Sequence, residues 1–396
     1  MRLSELRARE DLDAILQRTL ARDFSERLGQ PVTVTAGGSG QRWLVQPTLS
    51  AFYTRGICAA ARRHLRDDFR WTPVRRRIPA QFALGTALAS GPGLRLFGRP
   101  GFTVDPPLPA ADALVVVPGN RRVRLFDFER GVCRVLLKDG FPARVMETEV
   151  AMRGRPAEGP FPPITALAPD LSWFEEPLLQ GCVVPRLPPW VDAAPLVQRA
   201  LDALGRHVAP SAREVDASAH LESLLARVAL AHAEVATRYG ADAALPAAFA
   251  APLADVAALA SSLEVALSHG DLQPGNIFVT AGPGEVLLID WEHAGTRLRA
   301  YDALVLGLGS RSARGLARRV TEFVSGRRTV AGLGPEAADI RWRRATVAAF
   351  LLEDLTFYLE ESVEVPGARA SAGLAVLDRE LQRLGPGLAA LRERAS

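Results

Sequence analysis

The chain has 396 residues, 48% of them hydrophobic, enough for two or three domains with sizeable cores. Forty-eight basic residues against 44 acidic ones leave a net charge of +4, too balanced to imply bulk nucleic-acid binding. No apolar run reaches the about eighteen residues of a membrane span, and the widely spaced Cys58, Cys133 and Cys182 fit neither a disulfide framework nor a zinc site, which points to a reduced, cytoplasmic setting.

Arg2 to Gln30 has the pattern of a charged amphipathic helix and not of a secretory signal. Arg42 to Val45 suits a strand and Ala51 to Leu65 a helix. Arg62, Arg63, Arg66, Arg70, Arg75, Arg76 and Arg77 form a basic run, partly offset by Asp67 and Asp68. It reads as a solvated helix face and loop, with contact to an anionic substrate, partner or membrane surface as the alternative. Pro100 to Pro109, rich in Gly and Pro, reads as a linker. Ala113 to Val117 is a continuous apolar strand, Pro118-Gly119-Asn120 a turn, and Val123 to Phe128 a second strand by alternation. Gly131 to Leu137 is a third, closed by Lys138-Asp139-Gly140. Lys138 is the single lysine of the chain. A helix follows over Arg144 to Arg153, and Ile164 to Ala168 and Trp173 to Leu179 suit two further strands.

The remainder is mainly helical. Ala194 to Val208, Ala217 to Arg238, Leu253 to Ser262, Ala300 to Leu308, Ser312 to Ser325, Asp339 to Glu361 and Gly373 to Leu384 are rich in alanine and leucine. Within this half lies Ser268-His269-Gly270-Asp271-Leu272-Gln273-Pro274-Gly275-Asn276, followed by Leu287-Leu288-Ile289-Asp290-Trp291-Glu292. Glu264 to Leu267 reads as a short strand entering the loop. Ile277 to Val279 and Val286 to Ile289 read as a hairpin around Ala281-Gly282-Pro283-Gly284, which would bring Asn276 and Asp290 together. Phosphoryl transfer from ATP needs such a set: one carboxylate near the acceptor hydroxyl, and an amide plus a carboxylate holding magnesium on the phosphates.

His269-Gly270-Asp271 with Asn276, and Ile289-Asp290-Trp291-Glu292, resemble the aminoglycoside phosphotransferase and choline kinase family. The resemblance implies an α+β, protein-kinase-like two-lobe fold. Its small antiparallel-sheet lobe with one helix would span 106–181 and its large, mainly helical lobe 182–396, after an N-terminal α/β extension over 1–105. ATP and Mg2+ are implied with it. Asp271 would be the catalytic base, Asn276 and Asp290 the magnesium ligands, His269 a residue bracing the loop, and Asp302 a support for that loop. Gln273 stands where many relatives have a second histidine. Lys138 falls where kinases place a lysine on the ATP phosphates, as a compact point charge that the wider guanidinium replaces poorly. Its partner would be a glutamate on the following helix. Glu147 and Glu149 are both available, and Glu149 resembles the family pattern better. Gly119 and Asn120 take the place of the nucleotide-covering loop, although the strict glycine pattern of protein kinases is missing. Leu179-Gln180-Gly181 resembles the hinge, so the Gln180 backbone would meet the adenine edge.

In relatives the acceptor pocket is built from large-lobe helices and is acidic when the acceptor is cationic. Phe350, Asp354, Phe357 and Glu361 share one face by helical spacing, a mixture that can bind an amino-sugar or an alkylammonium alcohol. A core stripe with a solvated acidic edge is the alternative. Glu292 is a further candidate for the acceptor or the metal. The expected function is phosphorylation of a hydroxyl on a small molecule such as a sugar, amino-sugar or amino-alcohol. The alternatives are a kinase acting on a glycan, lipid-linked sugar or protein, and a non-catalytic nucleotide-binding regulator. The presence of every catalytic group argues against the last.

Overall fold

The structure is a computed structural model that describes residues 3–72, 74–154, 159–282, 284–364 and 368–393. The chain forms two compact units, Met1–Leu196 with Gly275–Glu292, and Val197–Pro274 with His293–Ser396. The expected α+β division into an antiparallel-sheet part and a mainly helical part holds.

The first unit opens with α1 (Leu3–Arg7) and α2 (Leu12–Leu28). The single helix expected over Arg2 to Gln30 is therefore broken. Asp11 caps α2 by accepting from Ala14 N–H at 3.3 Å, and Gly29 ends it in the left-handed region at φ 63°. Leu12, Leu16, Leu20 and Phe24 recur at every fourth position and give α2 its buried stripe. Next come β1 (Thr33–Thr35), β2 (Gln41–Gln46), β3 (Ala51–Thr54), α3 (Ala59–Arg70), α4 (Ile78–Leu88), α5 (Gly91–Phe97) and β4 (Arg99–Asp105). Two expectations fail here. The helix placed over Ala51 to Leu65 starts only at Ala59, because Ala51-Phe52-Tyr53-Thr54 is wholly buried and its aromatic pair suits a pleated surface. The linker placed over Pro100 to Pro109 is mostly strand. Phe102 and Val104 are buried, and Gly101 lets the backbone pass close to Trp43 and Phe52, where a Cβ would lie 3.1 Å from each. The unit continues with β5 (Leu114–Pro118), β6 (Arg122–Asp127), β7 (Val132–Leu137), α6 (Arg144–Arg153), β8 (Ala166–Leu167), β9 (Trp173–Pro177) and β10 (Gly181–Val183).

Among the described residues, nine strands join one antiparallel sheet in the order β1-β4-β2-β3-β5-β6-β7-β9-β8. The first 105 residues thus supply four strands of the same sheet and are not a module apart. Alternation gives the sheet two unlike faces. Val116, Val123, Leu125 and Leu136 pack with Trp43, Phe52 and Phe102 against the α2 stripe. On the other face Cys133, Val135, Leu137 and Phe174 pack with Met146 of α6, and Tyr53 and Val115 with Leu65 of α3 and Leu94 of α5. Burying each large apolar side chain contributes about 1.5–3 kcal/mol. Ion pairs lock α2 in register: Arg134 bridges Asp23 at 2.7 Å and Glu175 at 2.9 Å while stacking 3.6 Å over Trp173.

α7 (Ala194–Val208) carries the chain from the first unit into the second, which continues through β11 (Arg213–Asp216), α8 (Ala217–Tyr239), α9 (Ala250–Ala257) and β12 (Ser262–Ser268). The helix expected over Leu253 to Ser262 ends at Ala257, because alternating burial from Leu263 onward belongs to β12. β13 (Ile277–Thr280) and β14 (Val286–Leu288) form the expected hairpin, and β13 pairs with β10 in the first unit; Pro283 of its turn lies outside the described residues. β15 (Gly295–Leu298) then joins β11 and β12, and α10 (Tyr301–Leu308), α11 (Leu316–Val324), α12 (Ile340–Glu364) and α13 (Ala368–Glu393) complete the second unit. α12 is buried at every position from Arg344 to Thr356, so it is the central helix of that unit. Among the described residues no helix is long and apolar enough to cross a membrane.

Candidate functional site

The unit boundary falls between Pro274 and Gly275, so Asp271 belongs to the second unit while Asn276 and Asp290 belong to the first.

In the second unit, β12 delivers the chain into a loop held by its backbone. His269 N–H and Gly270 N–H both donate to the buried Asp302 carboxylate, at 2.7 and 3.0 Å. Gly270 is required there: its φ is +81°, and a Cβ would lie 2.0 Å from the His293 carbonyl oxygen. His269 is fully buried, and its Nδ1 lies 3.4 Å from Asp271 N–H. The Asp271 carboxylate accepts from Gln273 Nε2 at 2.9 Å and from Arg311 Nε at 2.5 Å. Arg311 also donates to Asp354 at 2.5 Å, to the Gly270 carbonyl at 2.7 Å and to the Tyr301 hydroxyl at 3.1 Å, and stacks 3.8 Å over Phe357. Burial opposes its charge, but Tyr301, Asp354 and Asp271 outweigh burial and hold the guanidinium protonated. Burial pushes the Tyr301 hydroxyl up, which keeps it a neutral donor.

The face read from α12 is real. Phe350 packs on Tyr301 with ring centroids 5.4 Å apart, Phe357 on His293 at 5.0 Å, and Glu361 lies 3.7 Å from His293 Nε2. Asp354 is 1% exposed and is already joined to Arg311 and, at 3.2 Å, to the Tyr301 hydroxyl. The acidic face read as a pocket for a cation thus holds the chain's own guanidinium.

In the first unit, the β13–β14 hairpin closes as expected: Ile289 N–H donates to the Asn276 carbonyl at 3.0 Å. Asp290 follows with φ +71°, an uncommon conformation for a residue with a side chain and one that clusters at functional sites. Its Oδ1 receives Arg122 Nη2 at 2.5 Å and Arg124 Nη2 at 3.0 Å. Glu292 receives Arg121 at 3.3 Å and Arg122 at 3.1 Å. Glu149 of α6 receives Arg122 Nη1, and Arg153 at 2.7 Å; Arg153 reaches on to Glu176 at 2.6 Å. Burial raises the Glu176 carboxyl above its ordinary value. Arg122 is buried, which disfavours its charge, yet Glu149, Glu292 and Asp290 overcome that and keep it cationic.

The expected Lys138–Glu149 pair does not form. Lys138 Nζ bonds the Glu10 carboxylate and, at 2.9 Å, the Asn120 carbonyl. The reason is strand alternation. Leu137 stands opposite Arg122 in the β6–β7 ladder and faces α6, so Lys138, one residue on, shares the α2 face with Leu136 and Arg134. Burial lowers the Lys138 pKa despite Glu10. Asn120 is also drawn toward the N-terminal segment, its Oδ1 accepting from Arg9 at 2.8 Å. Gly119 N–H donates to the Arg122 carbonyl at 2.7 Å, an ordinary hairpin turn. At Gln180, whose backbone was expected at the adenine edge, the carbonyl accepts from Ala281 N–H at 2.7 Å. Sequence reasoning missed Arg122, Arg124 and Arg311. Alternation along β6 was the signal for the first two, whereas no spacing rule marks Arg311.

Asn276 and Asp290 offer two hard oxygens at one end of a closed hairpin, which fits magnesium, an ion held by one or two protein oxygens together with substrate phosphates. Among the described residues no cluster of three or more His, Cys, Asp or Glu side chains forms a metal site of its own.

Residues 182–333, well under half of the chain, match the phosphotransferase enzyme family. Similar solved structures include a choline/ethanolamine kinase family protein from Mesorhizobium loti, at 15% identity and a TM-score of 0.43 over 71% of this chain and 92% of that one. Choline kinase from Cryptosporidium parvum is 11% identical with a TM-score of 0.45 over 72% and 93%. A thermostable mutant of aminoglycoside phosphotransferase APH(4)-Ia is 15% identical with a TM-score of 0.43 over 67% and 94%. No curated protein matches the sequence.

Proposed function

We propose that this chain, whose residues 182–333 match the phosphotransferase enzyme family, transfers the γ-phosphoryl group of ATP to a hydroxyl of a small molecule, a sugar, amino-sugar or amino-alcohol. The observation that carries the reading is the loop holding Asp271: two consecutive backbone N–H groups fixed on Asp302, a glycine that nothing can replace, and a carboxylate aimed by Arg311. In this reading Asp271 orients the acceptor hydroxyl and takes its proton on a carboxylate oxygen. Asn276 and Asp290 would hold magnesium, which when bound neutralises charge on the phosphates. Asp302 and His269 keep the loop in shape, so the chain contributes mainly positioning and fixed charge. Because Asp354 already carries Arg311, a neutral sugar hydroxyl suits that wall better than an alkylammonium group. We place the reaction in the cytoplasm, in keeping with the free thiols of Cys58, Cys133 and Cys182.

The test is to incubate the purified protein with magnesium, ATP and pooled hydroxyl metabolites. A product heavier by one phosphoryl group is expected, and none should form in chelator. Unchanged ATP and no phosphorylated product across sugar, amino-sugar and amino-alcohol pools would refute the reading.

A further inference from the structure

We propose that Arg122, and not Lys138, is the cation that this chain places on the nucleotide phosphates; the inference rests on the ATP-dependent reading above. In kinases the phosphate-binding lysine is paired with a glutamate on the neighbouring helix, beside the carboxylate that carries magnesium. Here one guanidinium touches both partners. Arg122 Nη1 bonds Glu149 of α6, and Nη2 lies 2.5 Å from Asp290 and 3.1 Å from Glu292. Lys138 is on the opposite face of the sheet, its side chain fully buried against Glu10 and the Asn120 carbonyl.

Charge around Arg122 is balanced. Arg121, Arg122, Arg124 and Arg153 stand against Glu149, Glu176, Asp290 and Glu292. Arg122 and Arg124 share one oxygen, Oδ1 of Asp290. When Asp290 turns its charge to magnesium, Arg124 loses that partner and Arg122 keeps Glu149 and Glu292 but loses one of its three carboxylates, and the nucleotide phosphates supply the missing negative charge. A planar fork suits this shared role, since it can bond a carboxylate with one nitrogen and a phosphate oxygen with the other. In a chain that has kept one lysine, the phosphate cation is an arginine from the adjacent strand.

The experiment uses an acyl-phosphate derivative of ATP that acylates lysines beside bound phosphates, with peptide mapping by mass spectrometry, on the full chain. In the wild type, labelling of Lys138 should be slight and indifferent to free ATP. In R122K, position 122 should be labelled and protected by ATP. By calorimetry K138M should bind MgATP about as the wild type does, and R122M roughly tenfold more weakly or worse, the loss of one charged hydrogen bond or more. ATP-protected labelling of Lys138, or weak binding by a folded K138M, overturns the assignment and leaves the ATP reading intact. Wild-type protein that binds no MgATP overturns both. If circular dichroism shows that the Arg122 variants do not fold, wild-type labelling and K138M still decide the matter.

Discussion

Asp271 is oriented by a residue forty positions downstream. Arg311 grips Asp271 and Asp354 at 2.5 Å each, and its plane lies on Phe357. In the proposed reading Asp271 is a base, useful only at a fixed angle to the proton it takes, and a guanidinium held at five points would supply that angle. D271N should cut single-turnover transfer by about 10²–10⁴-fold, the range for a positioned general base, while calorimetry shows ATP affinity little changed. R311A should cost about 3–5 kcal/mol in urea unfolding, because Asp354 would be left buried without its cation. R311K should recover only part of that, since an ammonium cannot span Asp271, Asp354 and the Gly270 carbonyl together. The loop around Asp271 and the hairpin between Asn276 and Asp290 were legible because each is written in a short stretch of chain. Arg311 was not, because its place is set by how α10 ends and not by any distance along the chain.

At the scale of elements, β6 and β7 decide which charge goes where. Both read as strands, and their register, Arg122 opposite Leu137, follows from the hairpin between them. The single lysine distracted from the alternation that sends Arg122 and Arg124 to the α6 face and Lys138 to the α2 face. Strand identity was therefore legible and strand facing was overlooked, although Val123, Leu125 and Leu136 encode it plainly. The α2 face carries its own titratable clamp. Burial raises the Glu175 carboxyl, but Arg130 and Arg134 outweigh burial and leave it below its ordinary value. A carboxyl depressed on folding adds stability above its unfolded pKa and loses it as pH falls through the folded one. The wild type should therefore lose stability on acidification below the usual glutamate range. E175Q should flatten that limb and be weaker by about 3 kcal/mol at neutral pH, as urea midpoints over a pH series would show.

Over the whole molecule, the nine-stranded sheet makes the N-terminal hundred residues part of the first unit. Pairings such as Thr33↔Asp105 and Phe52↔Val116 join positions more than sixty residues apart, which is why local pattern read them as an extension and a linker. A chain beginning at Pro106 should be insoluble where the full chain is soluble, because it bares one edge of β5 and the face that α2 covers. A soluble, cooperatively melting fragment would contradict this. The same wiring sets a timetable. α2 leaves the ribosome well before its ionic partners: Asp23 waits for Arg134, Arg18 for Asp139 and the preceding Glu10 for Lys138, each more than a hundred residues behind. At about 5–20 residues per second, those charges wait on the order of ten seconds, by when Trp43 and Phe52 have already given the apolar stripe a surface to pack on. The helix that staples the finished sheet is therefore held first by apolar contact and only later by charge.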